Sequence, residues 1–337
     1  MTIRFGLIAL SVLAAIAGCG NKPTEEQPAA SGGGGAKSDK EFKVALLTPG
    51  PVSDSGWNAM ANDGLIQIEG DLGAKITQRE STGTKIRDDL RAFGQEGYSL
   101  VIGHGYEYNE PAVEVSKDFP DTVFVTSSGG KSSKNSGAFR FYLEQGFYIA
   151  GYVAGSMTKS GKVAMIGGPD VPSIRSTFKG FRAGALAANP NVKVIETFTG
   201  KESDVAAAKL ATTAALAEGA DFVIHQANAA AQGVFDACKE KGAFAFGANS
   251  DQNSNASGVV IGSALINAKP AFVALAREVK EGKYGGGIKL MGIDIGAIDF
   301  VWNPALDAKV PAELKEKVKT LADDLRTGKI LAPKDEF

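Results

Sequence analysis

The chain has 337 residues, enough for one large domain or two smaller ones that each bury most of their apolar surface. Its 36 basic residues against 38 acidic ones leave a formal net charge of −2, which excludes the broad basic surface needed to track nucleic-acid phosphates. The only cysteines are Cys19 and Cys238, so a disulfide framework is excluded and stability falls to the core. In chain order, the first element is an apolar run from Phe5 to Ala17, preceded by Arg4 and closed by Ile16-Ala17-Gly18-Cys19. This reads as a signal peptide over residues 1–18 with a lipobox, because the run is too short for the ~20 residues of a membrane-spanning helix. Cleavage before Cys19 would leave its thiol to be acylated, and two or more acyl chains hold a protein on a membrane without a transmembrane segment. Residues 19–41 follow as a flexible tether, rich in Pro, Glu, Ser and Gly and lacking apolar periodicity.

From Phe42 onward, apolar runs alternate with amphipathic stretches, the pattern of a parallel sheet covered by helices. The strands are expected at 43–47, 100–102, 123–126, 162–166, 192–197, 222–225, 243–246 and 259–261, most ending in small or polar residues. The helices are expected at 57–71, 84–96, 109–119, 145–158, 173–188, 205–218, 230–241 and 269–281. In open α/β sheets, ligands sit outside the carboxyl ends of strands, so the polar strand tips are where binding is sought. Two openings are alike, Phe42-Lys43-Val44-Ala45-Leu46-Leu47 and Gly161-Lys162-Val163-Ala164-Met165-Ile166, which suggests two similar lobes with a cleft between them. The expected division gives lobe 1 residues 42–150 and about 250–285, and lobe 2 residues 151–249 and about 286–337.

Enzyme chemistry finds no residue set to carry it. His104 and His225 are the only histidines, and neither HExxH, GxSxG nor GxGxxG occurs. The stretch Gly155-Ser156-Met157-Thr158-Lys159-Ser160-Gly161-Lys162 is one residue too long for a phosphate loop, and it precedes a strand where such a loop must follow one. The expectation is a protein that is not an enzyme and needs no cofactor or metal. Binding chemistry concentrates instead in Pro49 to Asn58, a polar, glycine-bearing loop entering a helix that Asp54 or Ser55 can cap. Trp57, beside Gly56 in the first helical turn, offers an aromatic face on which stacking of a base is worth about 1–3 kcal/mol.

The segments Asp54-Ser55-Gly56-Trp57-Asn58, Phe119-Pro120-Asp121-Thr122-Val123-Phe124, Gln145-Gly146-Phe147-Tyr148-Ile149-Ala150-Gly151, Ile166-Gly167-Gly168 with Pro172, Gly180-Phe181-Arg182-Ala183-Gly184 and Ser250-Asp251-Gln252 together carry a family resemblance. In their order and spacing the chain resembles the basic-membrane-protein family of substrate-binding lipoproteins of ABC transporters, which includes purine nucleoside receptors. The likeness covers nearly all of the chain after the tether. It implies an α/β, two-lobed type I periplasmic-binding fold with three inter-lobe crossovers, and a ligand enclosed by lobe closure. Nucleoside-binding members stack the base between two aromatics, read it with an acidic residue, and grip ribose with an Asp and a Lys. Aligned on that pattern, Trp57 and Asn58 are retained, whereas Glu202 stands at the second aromatic, Leu143 at the base-reading acid, Asn249 at an Asp and Ile266 at the Lys. A ribose hydroxyl buried without its partner costs about 1–3 kcal/mol, so these departures favour a free base or another small ligand over a nucleoside.

The resulting expectation is a cell-envelope lipoprotein, lipidated at Cys19 and acting as a monomer, that captures a small molecule for the permease subunits of an ABC importer. Its cleft residues would be Asp54, Trp57, Asn58, Glu144, Glu202, Asn228, Asn249 and Asp251, with Trp57 stacking and the others hydrogen-bonding. The alternative is a ligand sensor that docks on a membrane signalling receptor.

Overall fold

The computed structural model describes residues 41–53, 57–255 and 258–335. The signal peptide, the tether apart from its last residue, Cys19 and Asp54 lie outside the described residues. The first half of the fold runs β1 (Lys43–Thr48), α1 (Trp57–Leu72), β2 (Lys75–Glu80), α2 (Lys85–Gln95), β3 (Leu100–Gly103), α3 (Asn109–Ser116), β4 (Val123–Thr126) and β5 (Ser136–Phe141). The chain continues through α4 (Glu144–Met157), β6 (Lys162–Gly167), α5 (Pro172–Ala188), β7 (Lys193–Phe198), α6 (Val205–Ala217), β8 (Phe222–Gln226), α7 (Ala231–Lys241) and β9 (Phe244–Asn249). It closes with β10 (Val260–Ile266), α8 (Ala268–Lys280), β11 (Gly287–Met291), β12 (Ile298–Trp302) and α9 (Ala312–Arg326).

Local chemistry accounts for these elements. In β1 the side chains of Val44 and Leu46 enter one apolar cluster and those of Ala45 and Leu47 another, the two-residue alternation of a strand covered on both faces. Likewise β6 sends Val163 and Met165 one way and Ala164 and Ile166 the other. Helix α2 buries Ile86, Asp89, Leu90 and Phe93, a single stripe at helical spacing. Helix α6 starts where the Asp204 carboxylate accepts from the Ala207 amide at 2.9 Å, and α7 stops at Gly242, whose φ of 68° a side chain would resist.

The strands form two six-stranded sheets in the orders β11-β5-β4-β3-β1-β2 and β12-β10-β9-β8-β6-β7. The two orders correspond strand for strand, and so do their registers: Lys43 lies opposite Lys75 as Lys162 lies opposite Lys193, and Val44 opposite Leu100 as Val163 opposite Phe222. The likeness read between the two openings is therefore a duplication of whole lobes. One strand breaks it, since β11 pairs parallel with β5 whereas β12 pairs antiparallel with β10.

The chain passes between lobes three times, between β5 and α4, between β10 and α8, and between β11 and β12. These passages correct the expected segment boundaries. β10 pairs with β9, so the second lobe extends to Ile266 rather than ending near residue 249; β11 pairs with β5, so the first lobe resumes at α8 and runs to Met291. Helix α4 packs on α5, α9, β10 and β12, which moves the first passage back from residue 150 to the Tyr142–Leu143 link.

Helices α4 and α5 meet backbone to backbone. A Cβ on Gly184 would lie 1.9 Å from the Tyr148 carbonyl oxygen, and one on Gly151 would lie 2.0 Å from that of Phe181. Glycine is required there by the closeness of the two main chains. The segment after α9 returns to the first passage, where the Tyr142 hydroxyl donates to the Ala332 carbonyl, Arg140 Nη1 donates to the Asp335 carbonyl at 2.8 Å, and the Asp335 amide donates to Ser176 Oγ at 2.8 Å.

Four strands and one helix had not been expected: β2, β5, β11, β12 and α9. Three of those strands are sheet edges, and β2 with its Lys-Ile-Thr-Gln-Arg-Glu sequence buries no residue fully, so the apolar run that marks an interior strand is missing.

Candidate functional site

The passages after β5 and β10 leave from the carboxyl ends of those strands, so the carboxyl edges of both sheets border the junction between the lobes. The two edges carry different chemistry. On the first, Trp57 opens α1 just beyond β1, His104 follows the last residue of β3, and Phe141 ends β5. The Trp57 and His104 rings stack with centroids 4.0 Å apart and planes 25° from parallel, and Phe141 meets the indole edge-on at 6.2 Å. His104 is fully buried, and its Nε2 lies 2.9 Å from the Trp57 carbonyl oxygen. The same imidazole thus supports the ring and anchors the backbone that carries it. Trp57 itself keeps 39% of its surface exposed. Asn58 is buried behind it, close enough to Gly50 that a Cβ there would come within 3.2 Å of its Nδ2.

On the second edge, Glu202 lies in the loop after β7, Asn228 just beyond β8, and Asn249 at the end of β9. The structure brings these three together. Asn228 Nδ2 donates to Glu202 Oε2 at 2.7 Å, and Asn249 Nδ2 donates to Asn228 Oδ1 at 3.1 Å and to Gln226 Oε1 at 3.0 Å. The Ala230 amide donates to the Glu202 carbonyl at 2.9 Å, and a Cβ on Gly168 would sit 3.0 Å from Glu202 Cγ, so the loop is pinned against the turn after β6. Asn228 and Asn249 are the only described non-glycine residues with positive φ, at 42° and 69°. Left-handed backbone costs free energy and persists where the surroundings hold it, and it gathers at binding and catalytic sites.

Two expected residues lie apart from these groups. Glu144 is almost fully buried at the start of α4, where its carboxylate accepts from Arg140 and from Ser176 Oγ. Both bonds fall on Oε1 and fasten β5 to α4 and α5, while Oε2 is buried with no hydrogen-bond partner among the described residues. Asp251 accepts from the Asn253 amide at 3.0 Å and shapes its own turn. Sequence reasoning missed Gln226, having ended that strand one residue early at His225. His104 was not among the expected residues either, although a histidine between Gly103 and Gly105 at a strand tip is the signal that marks it. His225 is a packed residue, fully buried against Phe235, with Nε2 2.7 Å from Gln252 Oε1; burial lowers its pKa to about 4.

A surface cavity of about 450 Å³ lies between α1 and α8, lined by Gln67, Asp71, Asn267, Lys269, Val273 and Arg277. It carries none of the expected residues. Geometry at the strand tips is the better guide to a ligand, because the tips hold the aromatic stack, the strained backbone and the convergent amides.

A family model described as ABC transporter substrate-binding protein, PnrA-like, matches residues 41–329. The chain belongs to that family. Among its relatives, basic membrane protein A2 of Borrelia garinii is 25% identical over 86% of this chain and 88% of its own length. A purine-binding protein of Brucella abortus is 24% identical over 88% of this chain and 85% of its own. A solved ABC transporter solute-binding protein from Conexibacter woesei superposes with a TM-score of 0.70 at 27% identity, covering 87% of this chain and 99% of that one. As a PnrA-like substrate-binding protein with this two-lobed fold, the chain is built to hold a solute, and members of such transport systems work outside the cytoplasm.

Proposed function

We propose that this protein is a lipid-anchored receptor of the cell envelope that captures a planar heterocycle of the purine class between its lobes and hands it to the permease of an ABC importer. The observation that carries the ligand class is the inequality of the two edges: an exposed indole braced by His104 on one lobe, and a carboxamide and carboxylate group on the other. A flat ring with polar substituents satisfies both, by stacking on Trp57 and hydrogen-bonding at its rim. The family assignment and the purine-binding relative support the same class. Ligand contacts to both lobes exist only when the lobes are closed, so differential affinity for that form drives closure.

Free bases are favoured over nucleosides, because the amide of Asn249 and the alkyl chain of Ile266 cannot reproduce a carboxylate and an ammonium aimed at sugar hydroxyls. Calorimetry with adenine, guanine, adenosine and guanosine tests this. Tighter binding of the bases is expected; tight nucleoside binding with bases much weaker overturns the preference, and no binding of any of the four overturns the ligand class.

A further inference from the structure

We propose that Glu202 fixes the direction of a four-residue hydrogen-bond relay, so that the second lobe offers its ligand a donor from Gln226 beside an acceptor from Asn249. This rests on the ligand reading above and specifies which edge of such a ring is read. A carboxylate only accepts, so Asn228 must turn its NH2 toward Glu202, which it does at 2.7 Å. That leaves the Asn228 carbonyl oxygen facing Asn249, whose NH2 must in turn face it, at 3.1 Å. The same Asn249 NH2 also reaches Gln226, which therefore presents its oxygen inward, at 3.0 Å. Each amide has one donor end and one acceptor end, so the unused ends are determined as well. Asn249 Oδ1 remains as an acceptor and Gln226 Nε2 as a donor, on adjacent strands β9 and β8 at the carboxyl edge. The backbone of Asn228 and of Asn249 is held left-handed at these two links, which keeps the amides from swinging out of line.

A neighbouring donor and acceptor on the protein match a neighbouring acceptor and donor on the ligand. A lactam edge, a ring carbonyl beside a ring N–H, meets both with two parallel hydrogen bonds, as does an amino group beside a bare ring nitrogen. Gln226 and Glu202 thereby become specificity-determining residues, Gln226 by contact with the ligand and Glu202 by orienting the relay without touching it.

The test is calorimetry with two probes of one shape, hypoxanthine, which has the lactam edge, and 6-methylpurine, which has neither its carbonyl nor its adjacent N–H. The wild type should prefer hypoxanthine by about tenfold or more, the worth of one or two well-placed hydrogen bonds. Gln226→Glu keeps an acceptor for Asn249 but replaces the outward donor with an oxygen, and should abolish the preference while the protein still melts cooperatively. Glu202→Gln lets the relay run either way, and should reduce the preference severalfold without contact to either probe. In the free protein, the side-chain NH2 resonances of Asn228 and Asn249 should shift in Glu202→Gln while those of distant amides stay in place. If the wild type binds both probes equally, or if Gln226→Glu leaves the ratio unchanged, the relay is overturned and the stacking receptor stands. If the wild type binds neither probe, the ligand class falls and the relay with it.

Discussion

The indole of Trp57 lies on the imidazole of His104, with ring centroids 4.0 Å apart. One face of the ring is thereby committed to the protein, and the rest is open to the proposed ligand. Because the ring is held on a fully buried histidine, its orientation is set before the ligand arrives, which reduces the ordering cost of binding. Trp57→Ala should weaken the natural ligand by about 1–3 kcal/mol, roughly 5- to 150-fold in dissociation constant. The only other tryptophan is Trp302, on the antiparallel edge strand β12. Ligand addition should quench the fluorescence of Trp302→Phe and leave that of Trp57→Phe unchanged. Quenching in both variants would place the ligand away from Trp57.

Burial of His225 makes stability depend on pH with a defined sign. Its folded pKa is about 4 against 6.5 when solvated, and desolvation is the larger cause, opposed by the hydrogen bond with Gln252. Above pH 6.5 both states are neutral and the group contributes nothing. As pH falls from 6.5 toward 4, the unfolded chain takes up a proton that the native state refuses, which removes up to about 3 kcal/mol of stability. His225→Gln should flatten the decline of melting temperature across that window. An identical decline in both proteins would assign the acid sensitivity to carboxylates.

Two helical glycines should respond oppositely to alanine. At Gly184 a methyl group would lie 1.9 Å from the Tyr148 carbonyl oxygen, whereas at Gly70 it would meet nothing within 4 Å. Overpacking costs about 1–3 kcal/mol or more, against a gain of roughly 1 kcal/mol in helix propensity. Gly184→Ala should therefore lower the melting temperature and Gly70→Ala should raise it. Stabilisation by Gly184→Ala would mean that α4 and α5 are less tightly joined.

The lipobox gives a separate expectation. Cys19→Ser removes the acyl acceptor, so the variant should leave the membrane fraction while binding its ligand unchanged. Retention on the membrane would locate the anchor elsewhere.

The motif residues show how far the sequence could be read. Gly151, Gly180 and Gly184 helped to carry the family resemblance, yet they serve the contact between α4 and α5 rather than a ligand: a Cβ on Gly180 would lie 2.5 Å from the Glu144 carbonyl oxygen. Interior strands such as β1 and β6 were legible because burial on both faces writes a continuous apolar run, whereas interior β5 was not, since Ser136, Gly137 and Arg140 interrupt its apolar residues. The edge strands β2, β11 and β12 lack that run, and with them went the correct passages between lobes. Asn228 and Asn249 were legible as polar residues at strand tips. Their mutual hydrogen bond was not, since it depends on the pairing of β8 with β9. The partners of Glu144 were hidden for the same kind of reason: Arg140, in β5, stands four residues before it, and Ser176 reaches it only through the fold.

The duplicated lobes give one address two tenants. With Val44 opposite Leu100 and Val163 opposite Phe222, counting along β3 and β8 sets His104 level with Gln226. In one copy that place holds a ring that props up an indole; in the other it holds an amide tied to Asn249. The two halves have kept a common scaffold, and on the reading proposed above they divide the labour of recognition, one half grasping without reading and the other reading without grasping. Substitutions at Gln226 should then retune which solute is chosen while leaving untouched the proposed shelf on which it lies.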